Sequence, residues 1–183
     1  MSSHIYQVSN AEELKQIIIF ISNDTIPKPT LIQLAPGKYD VNLRLPPFLK
    51  IKGSGINLTI LNLLDTFYLE SNNYLEDLTF EYSYEIDNLL DTPVKELFQL
   101  NCLSYLEQLS NVDNLLYDNT VYLKNIQLNL YNIRSGYIWS ILHGNLKLEN
   151  VDIKHKIIED LDEFNDIDEL YYEIHNLFSI GNF

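Results

Sequence analysis

Leu31-Ile32-Gln33-Leu34-Ala35-Pro36-Gly37-Lys38-Tyr39-Asp40-Val41-Asn42-Leu43-Arg44-Leu45-Pro46-Pro47-Phe48-Leu49-Lys50-Ile51-Lys52-Gly53-Ser54-Gly55-Ile56-Asn57-Leu58-Thr59-Ile60-Leu61-Asn62-Leu63 carries the clearest signal of the chain's architecture. Short apolar segments alternate there with tight breakers. Residues 31–34 predict a strand and Pro36-Gly37 a turn. Residues 41–45 alternate apolar and polar until Pro46-Pro47 interrupts. Residues 48–52 predict another strand, Gly53-Ser54-Gly55 a turn, and residues 58–63 a last strand. Each strand is too short to bury an apolar face alone and must stack on a neighbour. The pattern predicts the first coil of a parallel β-solenoid.

Upstream, residues 1–30 predict an N-terminal strand and a capping helix. Ile5-Tyr6-Gln7-Val8 is the strand. Ser9-Asn10 offers an N-cap, and Glu12 and Glu13 place carboxylates in the first turn, where the helix dipole favours them. Leu14, Ile17, Ile18 and Ile21 recur at helical spacing, so the helix covers 11–21. Asn23-Asp24 and Pro27-Lys28-Pro29 end it. A helix in that position covers the open end of a solenoid, which otherwise exposes unpaired strand edges and apolar surface.

Downstream, two signatures alternate strictly. The first is Leu75-Glu76-Asp77-Leu78-Thr79-Phe80, then Leu123-Lys124-Asn125-Ile126-Gln127-Leu128, then Leu148-Glu149-Asn150-Val151-Asp152-Ile153. The second is Leu97-Phe98-Gln99-Leu100, then Ile138-Trp139-Ser140-Ile141, then Leu177-Phe178-Ser179-Ile180. Stacked coils repeat their faces in this way, and independent strands have no reason to. Asp77, Asn125 and Asn150 suit a sharp bend, because Asx residues tolerate the left-handed conformation and bond nearby backbone. Leu148, Val151 and Ile153 are expected to point inward, and Glu149 and Asp152 to solvent.

The first signature recurs after 48 and then 25 residues, the second after 41 and then 39. Insertions near 81–96, 101–119 and 154–176 absorb the difference, leaving 31–183 as a short parallel β-helix within one structural domain. Asp91-Thr92-Pro93 is a good helix start, and Val94, Leu97, Phe98, Tyr105, Leu106 and Leu109 fit helical spacing. A helix over 93–110 therefore competes with a strand at Leu97, and the strand preserves the alternation. Ile157, Ile158, Leu161, Phe164, Ile167, Leu170, Tyr171 and Ile174 could form the apolar stripe of a further helix. That helix would lie on the solenoid wall or fold back as a cap.

Lys plus Arg number 12 against 26 Asp plus Glu, a formal charge of −14. That field opposes direct nucleic-acid binding and anionic membranes. Glu159, Asp160, Asp162, Glu163, Asp166, Asp168, Glu169 and Glu173 concentrate part of it. The longest apolar run, 17–21, is far short of a membrane span. Met1-Ser2-Ser3-His4 lacks the basic and apolar segments of a secretory signal. The expected location is the cytoplasm or a virion. The single Cys102 excludes an intrachain disulfide and reads as a buried small side chain.

Residues 5–63 resemble the N-terminal cap and first coil of the right-handed parallel β-helix, or pectin-lyase-like, superfamily. The resemblance rests on the helix over 11–21, on Ile32-Gln33-Leu34-Ala35-Pro36-Gly37-Lys38-Tyr39, on Leu49-Lys50-Ile51-Lys52-Gly53-Ser54-Gly55 and on Thr59-Ile60-Leu61. Leu148-Glu149-Asn150-Val151-Asp152-Ile153 is similar to that superfamily's later coils. The resemblance implies an all-β right-handed solenoid with a capping helix. It does not choose a function, since the superfamily hosts lyases, hydrolases, esterases, tailspikes and adhesins.

Lyases of that fold use an Arg or Lys base beside calcium-binding carboxylates. Here Arg44 and Arg134 have no acidic ligands at coil spacing and read as structural or solvated. Pectin esterases begin Gly-x-Tyr-x-Glu, where this chain has Gly37-Lys38-Tyr39-Asp40-Val41 and no acid at the last position. Glycoside hydrolysis needs two carboxylates, one with a raised pKa, and a solvated acidic helix does not raise one selectively. His4, His143, His155 and His175 lack metal-ligand spacing, and His143-Gly144 reads as a turn. Trp139 reads as wall or core packing. Thus no catalytic, cofactor-binding or metal residue is assigned.

The first expectation is a non-catalytic β-helix structural or binding module, a viral or phage-like particle component or a host-interaction protein. Its partners would be its own subunits or another protein at the C-terminal end, with a glycan as a further ligand. The second is a carbohydrate-active enzyme, a lyase or hydrolase with a site formed from loop 101–119 or between subunits. The third is an acidic inhibitor that mimics nucleic acid and binds a basic enzyme.

Overall fold

The computed structural model describes residues 4–24, 28–83, 96–102, 119–131, 137–156 and 178–180. The chain opens with β1 (His4–Val8), which pairs in parallel with β2 (Thr30–Leu34). Between them lies α1 (Ala11–Ser22). Asn10 is its N-cap, and the Oδ1 of Asn10 accepts from the Glu13 N–H at 2.9 Å. The Glu13 carboxylate reaches back to accept from the Ser9 backbone N–H at 2.8 Å and the Ser9 hydroxyl at 2.9 Å. The Glu13 N–H, one of the donors that a helix start leaves unpaired, is thus satisfied, and the Glu13 carboxylate ties the preceding Ser9 to the first turn. Leu14, Ile18 and Ile21 are buried on one side of the helix, whereas Ile19 and Phe20 are exposed.

Ten more strands follow: β3 (Gly37–Val41), β4 (Leu49–Lys52), β5 (Thr59–Leu63), β6 (Phe67–Leu69), β7 (Tyr74–Ser83), β8 (Glu96–Asn101), β9 (Thr120–Tyr131), β10 (Tyr137–His143), β11 (Asn145–Lys156) and β12 (Phe178–Ile180). Every pairing among them is parallel. The protein is therefore mostly β, in parallel sheets, with one short helix among the described residues.

The larger sheet contains β1, β2, β4, β7, β5 and β3 in that order, with β9 on β7 and β11 on β9. The long strands explain the order. The first part of β7 continues β4 and its second part continues β5, and the two parts meet at Asp77. The smaller sheet is β6-β8-β10-β12. All three copies of the first signature stack in the larger sheet, and the second stacks in the smaller one, its third copy being described over 178–180. Their alternation along the chain is the alternation between two sheets.

Asp77, Asn125 and Asn150 take φ of 58, 52 and 54°, the left-handed bend their residue type predicts. They also bond each other. Asn125 Nδ2 donates to Asp77 Oδ1 at 2.9 Å, and Asn150 Nδ2 donates to Asn125 Oδ1 at 3.0 Å. The column therefore does two jobs, turning each strand and tying it to the next. Asn125→Ala is expected to lower stability by ~2 kcal/mol, from left-handed strain plus lost side-chain hydrogen bonds. Asn125→Gly relieves the strain and should cost about half as much. Urea unfolding of the pair checks this, and equal losses would mean the backbone conformation is irrelevant.

Several boundaries differ from the sequence reading. The turn expected at Pro36-Gly37 falls earlier, and β3 starts on Gly37 itself. The strand expected over 41–45 is the end of β3 plus one bridge, Arg44 to Tyr68. The apolar alternation there is real, since Leu43 and Leu45 are buried and Arg44 is exposed. The residues serve two ladders, however: Val41 ends β3, whereas the Leu45 N–H and the Leu43 carbonyl bond the backbone of Tyr68. Phe48 takes φ 62° in a turn, so that strand begins at Leu49. The competing helix over 93–110 is set aside where it is described: residues 96–101 are β8. Residues 93–95 and 103–110, the acidic stretch of 157–177, Arg134 and His175 lie outside the described residues, as do most of the expected insertions.

The core runs through both sheets. Ile32, Ile51, Leu75 and Leu123 form one inward column, and Tyr39, Leu61, Phe80 and Leu128 another, all buried. Phe67, Phe98 and Trp139 are the inward column of the smaller sheet. Trp139 is thus core, with its indole stacked on Phe98 at 4.4 Å. Its Nε1–H has no hydrogen-bond partner among the described residues. Cys102 is buried as expected, and burial pushes its thiol up to about 11, so it is an inert side chain rather than a nucleophile.

Candidate functional site

Successive side chains on a strand point to opposite faces, so the inward columns imply outward ones. Two run side by side up the larger sheet. One is Ile5, Leu31, Lys50, Tyr74, Tyr122 and Lys147, each in register with the next. The other is Gln7, Gln33, Lys52, Glu76, Lys124 and Glu149. A groove of about 360 Å³ opens along them over β7, β9 and β11.

In the first column the Tyr74 and Tyr122 rings stack at 5.8 Å and 24°. Lys50 Nζ lies 4.4 Å from the centre of the Tyr74 ring, and Lys147 Nζ 4.9 Å from that of Tyr122. Lys147 also donates to the Tyr122 hydroxyl at 3.2 Å. The column is thus a lysine-tyrosine-tyrosine-lysine sandwich. Each ring has one face on the other tyrosine and one toward an ammonium. What these rings turn outward is edges and hydroxyls, which favours hydrogen bonding over stacking of a ligand on a ring face.

The second column alternates in charge. Lys52 Nζ lies 2.9 Å and Lys50 Nζ 3.1 Å from Glu76, and Lys124 Nζ lies 2.7 Å from Glu149. Lys52 also reaches Asp77 at 3.2 Å. Burial opposes the charge of Glu76, but hydrogen bonds and charges from Lys52 and Lys50 outweigh it and hold the carboxyl below its ordinary value. The Asn125 amide, and then Lys52, do the same for Asp77. Burial, and then Glu76, raise the Tyr74 phenol. Four lysines and three carboxylates meet on this face of a chain whose net charge is −14. The carboxylates here with a resolved shift are pinned in the ionised form, which suits charge recognition and opposes proton donation.

A pH dependence follows. Glu76 and Asp77 have lowered folded pKa values, so their stabilisation is fully present above the ordinary values of 4.5 and 3.8 and is lost as pH falls through the folded ones. Thermal midpoints should hold steady down to the ordinary carboxylate range and then fall. Glu76→Gln should lower stability near neutrality by ~1 kcal/mol and flatten the acid limb. An unchanged acid limb in Glu76→Gln would show that this column does not contribute.

Comparison with protein-family models, curated proteins and solved structures finds no match. Chemistry on the face itself therefore carries the functional reading. Among the described residues no three His, Cys, Asp or Glu side chains converge as a metal site. His4, His143 and His155 lie on β1, β10 and β11, apart from one another in register. Arg44 is exposed, with its guanidinium 4.8 Å from the Tyr68 ring centre.

Of this face the sequence points only to Glu149, as solvent-facing, and to Asp77, as a bend, and to neither as part of a site. The signal was one position away. Starting each first signature one residue earlier gives Tyr74-Leu75, Tyr122-Leu123 and Lys147-Leu148, and Lys50-Ile51 supplies a fourth member. Attention to the apolar positions, which define the fold, passed over the outward position beside them.

Proposed function

We propose that the chain is a right-handed parallel β-helix of the pectin-lyase-like kind that works by structure and binding rather than catalysis. Its setting is a viral or phage-like particle or a host-interaction protein. The observation that carries this reading is the order of the ladders. The chain passes β2, β3 and the Arg44 bridge, then β4, β5 and β6, then both parts of β7 and β8. It repeats the circuit with β9 and β10, and again with β11 and β12. Each circuit returns to the same three ladders in parallel register, as stacked coils require. The right hand follows from the near-uniform hand of parallel crossovers.

The binding surface in this reading is the outer tyrosine-lysine face. Its hydroxyls, ammoniums and ionised carboxylates suit a hydroxyl-rich ligand, and a glycan is the class that fits. Its pinned carboxylates argue against the carbohydrate-active alternative, because none is prepared to protonate a leaving group. The acidic-mimic reading keeps only the net charge as support, since lysines interrupt the carboxylates on this face.

A polysaccharide panel tests the reading, with binding followed by calorimetry and cleavage by product analysis. Binding without turnover, weakened by Lys147→Ala, is expected. Reproducible cleavage that disappears on substitution of one carboxylate would overturn it.

A further inference from the structure

A stack of parallel strands has two unlike edges, and each edge matches the other in direction and hydrogen-bonding pattern. In the larger sheet β1, β3 and β11 are each paired on one side only among the described residues; α1 packs beside β3, and β1 and β11 end the column that runs through β2, β4, β7 and β9. The inward column Tyr6, Ile32, Ile51, Leu75, Leu123 and Leu148 shows what the last rung lacks. Its four middle members are buried, Tyr6 is half-buried and Leu148 is 40% exposed. Val151 and Ile153 are likewise half-buried, whereas Ile126 and Leu128 beside them on β9 are buried. At the other end Ile5 is 59% exposed, and Ile19 and Phe20 of α1 are exposed nearby in the chain. The ends also differ in charge. The described part of the helical end carries Glu12, Glu13 and Asp24 against Lys15, whereas β11 carries Lys147, Lys154 and Lys156 against Glu149 and Asp152.

We propose that a second copy of this chain docks head to tail, the β11 edge of one molecule pairing in parallel with the β1 edge of the next. This rests on the reading of the ladders as stacked coils. The existing columns set the register: Ile5 continues from Lys147, Tyr6 covers Leu148, and Gln7 meets Glu149. The Gln7 amide then donates to the Glu149 carboxylate, in a column where Gln7 and Gln33 already bond each other. The net-positive β11 faces the net-negative helical end of its neighbour. Such a contact uses two different surfaces and does not close on itself, so it builds linear stacks.

Cysteine pairing tests the register. Neighbouring in-register strands lie about 4.8 Å apart, within the range a disulfide spans. Buried Cys102 does not compete. Chains carrying Gln7→Cys are mixed with chains carrying Glu149→Cys and oxidised. A mixed disulfide dimer is expected, with little product from either variant alone, and the double variant should give a covalent ladder of multiples of 21.4 kDa. Light scattering of the unmodified chain should show mass rising with concentration. A mass of one chain at all concentrations would overturn the proposal and point to another segment of the same chain as the cover. Same-with-same disulfides would overturn it in favour of a two-fold contact. Lys124→Cys with Glu149→Cys in one chain is the control. If that intrachain bridge forms and the mixed dimer does not, the coil reading stands and only the docking fails.

Discussion

Phe98→Ala is expected to destabilise the protein by ~4–5 kcal/mol, the upper part of the range for a buried aromatic. Phe98 is fully buried on β8 and touches three other aromatic rings. Phe80 meets it edge-on at 4.9 Å, Phe67 at 6.1 Å, and the Trp139 indole stacks on it at 4.4 Å. Phe80 belongs to the larger sheet and the others to the smaller, so this ring joins the two. Its loss removes transfer energy, leaves a cavity that three rigid rings cannot fill, and ends several aromatic contacts. For a chain of this length the thermal midpoint should fall by roughly 8–20 °C. Phe98→Leu keeps most of the volume and should cost about 1–2 kcal/mol. The near-ultraviolet dichroism of Trp139 should weaken in both, since its stacking partner is gone. A loss under ~1.5 kcal/mol for Phe98→Ala would mean that the two sheets are held together elsewhere.

Gly144→Ala should cost ~3 kcal/mol or more, although it adds one methyl group. Gly144 separates β10 from β11 at φ +111°, a conformation that L side chains rarely adopt. A Cβ there would lie 2.6 Å from Cys102 Sγ and 2.7 Å from the Asn119 carbonyl oxygen. That oxygen cannot retreat freely, because it accepts from the Asn145 N–H at 2.8 Å. Strain and overlap therefore add. Cys102→Ala should rescue part of the loss by removing the sulfur, and the double-mutant cycle reads the coupling. Gly55→Ala is the comparison. Its φ is also positive, at 141°, but the nearest atom is a flexible Leu58 methyl at 3.3 Å. It should cost clearly less. Equal losses at Gly55 and Gly144 would show that backbone strain alone, not the close approach to Cys102 and Asn119, sets the cost.

Much of the architecture was legible before any coordinate. The N-cap at Asn10, the helix after it, the Asx bends and the alternation of two signatures all come from local rules of capping, left-handed tolerance and apolar periodicity. These depend on near neighbours in the chain, so the sequence carries them directly. Strand ends were less legible. The strand expected over 41–45 is split between β3 and a bridge to Tyr68, because hydrogen-bond partners 24 residues away decide where pairing stops.

A mostly-β chain of short stacked strands, a capped helix near its start, Asx residues at the bends, a buried Cys102 and a packed Trp139 all follow from residue types and their spacing. Which residues share an outer face does not, because that depends on how the strands pair. Lys50, Tyr74, Tyr122 and Lys147 lie 24, 48 and 25 positions apart, and that uneven spacing hides any period that would join them. They meet because parallel register aligns one position of each strand with the same position of the next, about 4.8 Å away. The same register pins Glu76 between two lysines and leaves Leu148 half uncovered on the last rung. Those are properties of stacking, and no single strand possesses them.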